Sequence, residues 1–138
     1  MKSTDIDRRQ FARNTGIGVL TFAVAGVPTL LTPRAAAAGH VAFGRLERED
    51  ALLLSAFADH LLPGAAAAGV AHFVDQQLGV DPQECLLMCK YFPEIKAPFD
   101  DFYVGGIAAL RRTVHEKYAK SFDGLATDEK NALTDGIW

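Results

Sequence analysis

What most limits the fold of this chain is its amino terminus. Asp7-Arg8-Arg9-Gln10-Phe11-Ala12-Arg13 leads into an apolar run of 16 residues from Gly16 to Leu31, and Pro33, Arg34 and four alanines follow. A basic start, an apolar middle and a small-residue end is the order of a signal peptide, with cleavage expected after Ala37 or Ala38. The run is shorter than the roughly 20 residues a helix needs to cross hydrocarbon, and Gly16, Gly18, Thr21, Gly26 and Pro28 dilute it, so a permanent span is disfavoured. Residues 1–38 are thus read as a leader, and residues 39–138 as one small domain with a correspondingly small core. The leader carries five basic and two acidic side chains and the rest of the chain nine and fifteen. An acidic domain is a poor match for phosphates, so nucleic acid is not an expected partner. With 49% apolar and 22% charged residues, the composition is that of a globular chain and not a disordered one. Two cysteines are too few for a disulfide-dense scaffold.

Arg8, Arg9 and Phe11 resemble the twin-arginine translocation signature, which a receptor reads and which does not anchor the chain. Asp7 stands where that signature usually has serine or threonine, and Ala12 where it usually has leucine. A general secretory signal and an uncleaved anchor helix are the alternatives. The twin-arginine route implies export of an already folded protein, typically one that acquires a cofactor or a partner in the cytoplasm.

Residues 39–138 show helical periodicity and no strict alternation long enough for a strand pair. The expected class is all-α, with four to five helices. A first helix that begins near Leu46 and ends before Pro63 places Leu53, Leu54, Phe57, Ala58 and Leu61 on one stripe, with Arg48, Ser55 and Asp59 opposite. Leu62-Pro63-Gly64 stops it, and Gly69 to Leu78 forms a second. Asp81, Pro82 and Glu84 make a capping-box start for a third, running to about Phe92. Pro93 and Pro98 bracket a turn before a long helix from Phe99 to Ser121, striped with Phe99, Tyr103, Ile107, Leu110, Val114 and Tyr118. Within it, Gly105-Gly106 costs roughly 1 kcal/mol per residue against alanine, which implies either close approach of a neighbouring helix or a local break. Thr127 caps a last helix, with Asp128 and Glu129 against its dipole.

No constellation for catalysis emerges. His40, His60, His72 and His115 include no pair at the spacing that puts two metal ligands on one helical face. Asp59 and His60 are adjacent, about 100° apart on a helix, and do not face each other. Asp100-Asp101 reads as a solvated helix start, and no nucleotide-binding glycine pattern follows a strand. Catalytic, cofactor-binding and metal-binding residues are accordingly expected to be absent. Cys85 and Cys89 lack the following histidine of a haem-attachment motif. They remain open to three readings: two buried thiols, a local disulfide, or a bridge to another chain. Leu52, with neighbouring Ser55, projects opposite the first helix's core stripe and is the candidate partner interface.

Taken in order, the arginine-pair signal, Ala58-Asp59-His60-Leu61-Leu62-Pro63-Gly64 and Gly69-Val70-Ala71-His72-Phe73-Val74-Asp75-Gln76-Gln77-Leu78 resemble the gluconate 2-dehydrogenase subunit 3 family. So do Gly106-Ile107-Ala108-Ala109-Leu110, Phe122-Asp123-Gly124-Leu125 and Ala132-Leu133. The resemblance implies a small non-catalytic subunit of a membrane-associated flavoprotein dehydrogenase of the gluconate, sugar or polyol class. It also implies a large FAD-containing partner, and with it a cytochrome c subunit carrying haem c in some complexes. The implied location is the periplasm, at the outer face of the cytoplasmic membrane, held there only through the complex. Export and assembly of the large subunit would be its role, and the substrate would belong to that partner. Family members usually continue beyond the helix that starts near Thr127, which implies truncation at Trp138. The reading of a different class is a free-standing exported helical protein that binds a small ligand or a membrane surface.

Overall fold

The computed structural model describes residues 18–137. Along this stretch the elements are β1 (Leu20–Val24), β2 (Val27–Leu31), α1 (Pro33–Ala38), α2 (Arg48–Leu61), α3 (Val70–Leu78), a 3-10 turn at Met88–Tyr91, α4 (Asp100–Tyr118), a second 3-10 turn at Phe122–Gly124, and α5 (Thr127–Asp135). The fold is therefore mixed, five α-helices with a two-stranded antiparallel sheet, and the all-α expectation is corrected.

The sheet comes from the apolar run read as the middle of a leader. Ala25 (φ 50°) and Gly26 (φ 80°) both lie in the left-handed region, the conformation of a two-residue type I′ turn whose twist matches the flanking strands. The register pairs Leu20 with Leu31, Phe22 with Thr29 and Val24 with Val27. A lone hairpin is marginal in water, and α3 supports this one. The ring of Phe22, 6% exposed, meets that of His72 edge-on at 6.5 Å, and Gln76 Nε2 donates to Thr21 O at 3.3 Å. Both faces of the strands are apolar, so burial of one face left no period of two for the sequence to show.

Helices α2, α3, α4 and α5 fall where the periodicity places them, within a residue or two at most ends. The helix expected from Asp81 to Phe92 is absent, and the reason is a competing acceptor. Asp81 does start a turn: its Oδ1 accepts from Gln83 N at 2.8 Å, and its carbonyl accepts from Glu84 N and Cys85 N. The next amide, Leu86 N, donates to Oε1 of buried Gln77 on α3 at 2.6 Å, and Leu87 N donates to Cys85 Sγ. With those donors taken, the chain runs extended to the 3-10 turn. Gly105 and Gly106 match neither of their two readings. The helix continues unbroken through them, and a Cβ at either position would meet nothing within 4 Å.

Two apolar clusters form the core. The larger unites Leu46, Ala51, Val74, Leu78, Cys85, Leu87, Phe99 and Ile107, and the smaller unites Val114, Phe122, Leu125 and Leu133. Leu53 borders both, so α2 is the seam between them. The α2 stripe is only half-buried, and Leu61, expected in it, is 43% exposed.

Candidate partner-binding surface

The loop from Gly39 to Glu47 sets how α2 meets α3. Buried Asp75 of α3 organises it, with Oδ2 accepting from Gly44 N at 2.9 Å and Oδ1 accepting from Arg45 N and Leu46 N at 2.8 Å each. Arg45 then reaches α4, where Nε and Nη2 donate to the two Asp100 oxygens at 2.9 and 3.0 Å. This fork-to-fork pairing holds the Asp100 carboxyl below the usual carboxylate range and raises the Arg45 guanidinium. Asp50, in the first turn of α2, accepts from Arg111 Nη2 at 2.7 Å. At the end of α2, Asp59 Oδ1 accepts from Gly64 N and Ala66 N at 3.1 Å. Asp59 therefore fixes the Leu-Pro-Gly turn and is no partner for His60, whose ring lies edge-on to Phe122 at 6.1 Å.

The histidines are dispersed. His72 Nε2 bonds Val41 O at 2.8 Å and its ring stacks at 4.4 Å on Phe43, while His40 and His115 are exposed. Among the described residues no group of three or more His, Cys, Asp or Glu is placed to hold a metal. Cys85 and Cys89 are both buried and unbridged, in an extended-to-3-10 segment and not on one face of a helix. Burial pushes the Cys89 thiol upward, with the neighbouring Cys85 adding to it. Tyr103 shares this environment, and burial raises its hydroxyl to about 12. Such shifts make these groups less ionised and less reactive at neutral pH.

The expected interface residues lie on α2. Leu52 is 52% exposed and lines a concavity of about 560 Å³ with Glu49, Arg111, His115 and Phe122. Ser55 is half-buried on the other side of Leu52, facing the 40–47 loop. Ala37 and Ala38, the expected cleavage residues, belong to α1. Arg8, Arg9 and Phe11 lie outside the described residues.

Two further apolar surfaces went unread in the sequence. One is a groove of about 550 Å³ between α2, α4 and α5, lined by Leu54, Phe57, Phe102, Gly106, Leu110 and Ile137. Gly106 borders this open space. The other is the segment after Asp81, where Leu86, Met88, Tyr91 and Phe92 are each more than half exposed while Cys85, Leu87 and Cys89 are buried. Alternate side chains point out and in, as in a strand. Because both sets are apolar, the alternation is invisible as a hydropathy pattern.

Three exposed apolar surfaces thus lie among the described residues. The family profile for gluconate 2-dehydrogenase subunit 3 matches residues 48–137, from the first residue of α2 to the residue after α5 and its closing turn. The chain belongs to the gluconate 2-dehydrogenase subunit 3 family. All of α2 to α5, the three apolar surfaces and both cysteines fall within the subunit 3 match, whereas the hairpin, α1 and the loop held by Asp75 precede it. No curated protein and no solved structure gives a significant match.

Proposed function

We propose that this chain is a non-catalytic accessory subunit of a periplasm-facing flavoprotein dehydrogenase of the gluconate, sugar or polyol class, supporting export and assembly of a large FAD-containing subunit. The observation that carries the reading is the family match across α2 to α5. The exposed apolar surfaces around Leu52, along the α4 groove and at Leu86–Phe92 support it, since a subunit interface needs an apolar centre. FAD, and haem c where a cytochrome subunit is present, would reside on the partners. The partner chemistry would be substrate oxidation, and this chain would supply surface and the export signal. Membrane association would come through the complex, and no helix among the described residues is long and apolar enough to cross a membrane.

The test is to purify the tagged full chain from its native membranes and to record absorption spectra of what accompanies it. A large flavoprotein is the expected companion. Changing Arg8 and Arg9 together to Lys removes the planar donor fork while keeping the charge. It should hold both this chain and the flavoprotein in the cytoplasm. Recovery of the chain alone, with no flavin-containing partner, would overturn the subunit reading, and normal export of the double variant would overturn the twin-arginine reading.

A further inference from the structure

The bonds expected to be cut during export sit inside a folded element. In α1, Thr32 Oγ1 accepts from Ala35 N at 3.0 Å at the start, and Pro33 occupies the first turn. At the end, Gly39 N donates to Ala35 O at 2.9 Å, His40 N to Ala37 O at 3.1 Å and Val41 N to Ala36 O at 3.0 Å. A peptidase binds its substrate extended, so hydrolysis after Ala37 or Ala38 requires these bonds to open first.

Opening also means undocking from α3. Ala36 is 0% exposed. At Gly69, just before α3, a Cβ would lie 2.1 Å from Pro33 O and 2.9 Å from Arg34 N, so the first turn of α1 rests directly on that backbone. The next attachment is His72, which bonds Val41 O and touches the Phe22 ring. Beyond it comes Gln76 Nε2, which donates to Thr21 O. Contacts thus run along the length of α3, from its N-cap to its last turn.

We propose that the hairpin and α1 are a permanent strap on α3, and that folding withholds the Ala37–Ala38 and Ala38–Gly39 bonds from processing, so that residues 20–38 remain in the working protein. This goes beyond the subunit reading and does not depend on it. The strap lies outside the family-matched residues, and its removal would uncover the side of α3 that carries Gly69, His72 and Gln76. Because residues 20–31 are also the apolar middle of the expected export signal, translocation would release the hairpin from α3 and the strap would redock afterwards.

Two measurements on the full chain test the proposal. Intact mass of the protein recovered after export should retain residues 20–38. Limited digestion of the purified full chain with elastase, which cuts after alanine, should be slow between residues 35 and 38. Gly69→Ala, which forces α1 away from α3, should speed that cut by at least about tenfold, since cleavage follows the population of the opened form. Alanine at a φ of +87° also strains the backbone, so Phe22→Ser provides a second route. It loosens the hairpin that leads directly into α1, so α1 undocks more often, and it should accelerate the same cut while the melting of the helices stays close to wild type. An exported protein that begins at Ala38 or Gly39 would overturn the proposal. Equal elastase rates at residues 35–38 in wild type and both variants would overturn it as well.

Discussion

Asp75 offers the sharpest test of how the fold is held. The residue is 7% exposed, and its carboxylate accepts three backbone N–H groups, from Gly44, Arg45 and Leu46. In Asp75→Ala the amides of Gly44 and Arg45, both exposed residues, can turn to water, but Leu46 is buried and its amide is stranded. Leaving a buried donor unpaired costs about 1–3 kcal/mol, and losing two charge-assisted bonds on wetter donors adds about 1 kcal/mol each. The sum is about 3–5 kcal/mol. Against a total stability of about 5–15 kcal/mol this is a large fraction, and for a chain of this size it corresponds to a fall in Tm of more than about 10 °C. Asp75→Asn separates charge from geometry. Its amide oxygen can keep the Arg45 and Leu46 bonds, while its NH2 faces the Gly44 donor, so the expected loss is smaller, about 1–2 kcal/mol. Urea denaturation followed by far-ultraviolet dichroism measures both. An Asp75→Ala variant within about 0.5 kcal/mol of wild type, or an Asn variant worse than the Ala variant, would refute the reasoning.

Four other outcomes follow from named residues. The Arg45–Asp100 pair should make stability fall with acid. Asp100 has a lowered carboxyl in the folded protein, so its contribution is present above the unfolded value of about 3.9 and is lost as pH drops through the folded one. The Tm difference between wild type and Asp100→Asn should therefore be present at pH 7 and shrink below about pH 4. Leu52→Glu should leave melting nearly unchanged and weaken copurification of the dehydrogenase. By contrast Phe57→Ala, whose half-buried ring meets Phe122 edge-on at 5.7 Å, should cost about 2–3 kcal/mol of stability. Cys85 and Cys89, buried and unbridged, should react with a thiol reagent only after denaturation and then give two equivalents. Rapid labelling of the native protein would contradict their burial.

The helices were legible because burial on one face leaves a repeat in the sequence. In α4 the stripe from Phe99 through Ile107 to Val114 is also the buried face, and Leu62-Pro63-Gly64 ends α2 by local chemistry that needs no distant partner. The order of these same features carried the family resemblance. Three things were decided only by tertiary contact. Residues 20–31 lack a period of two because both faces of the hairpin are apolar, and only Phe22 against His72 shows which face is inside. Asp81, Pro82 and Glu84 spell a helix start, yet Gln77, brought in by α3, takes the Leu86 amide that the helix needed. Asp75, one of four polar residues on α3 with His72, Gln76 and Gln77, carries no mark of its task, because the three amides it satisfies lie about 30 residues away in sequence. Local propensity and periodicity are written in neighbouring residues, whereas a hydrogen-bond acceptor supplied across the fold exists only once the chain has closed on itself.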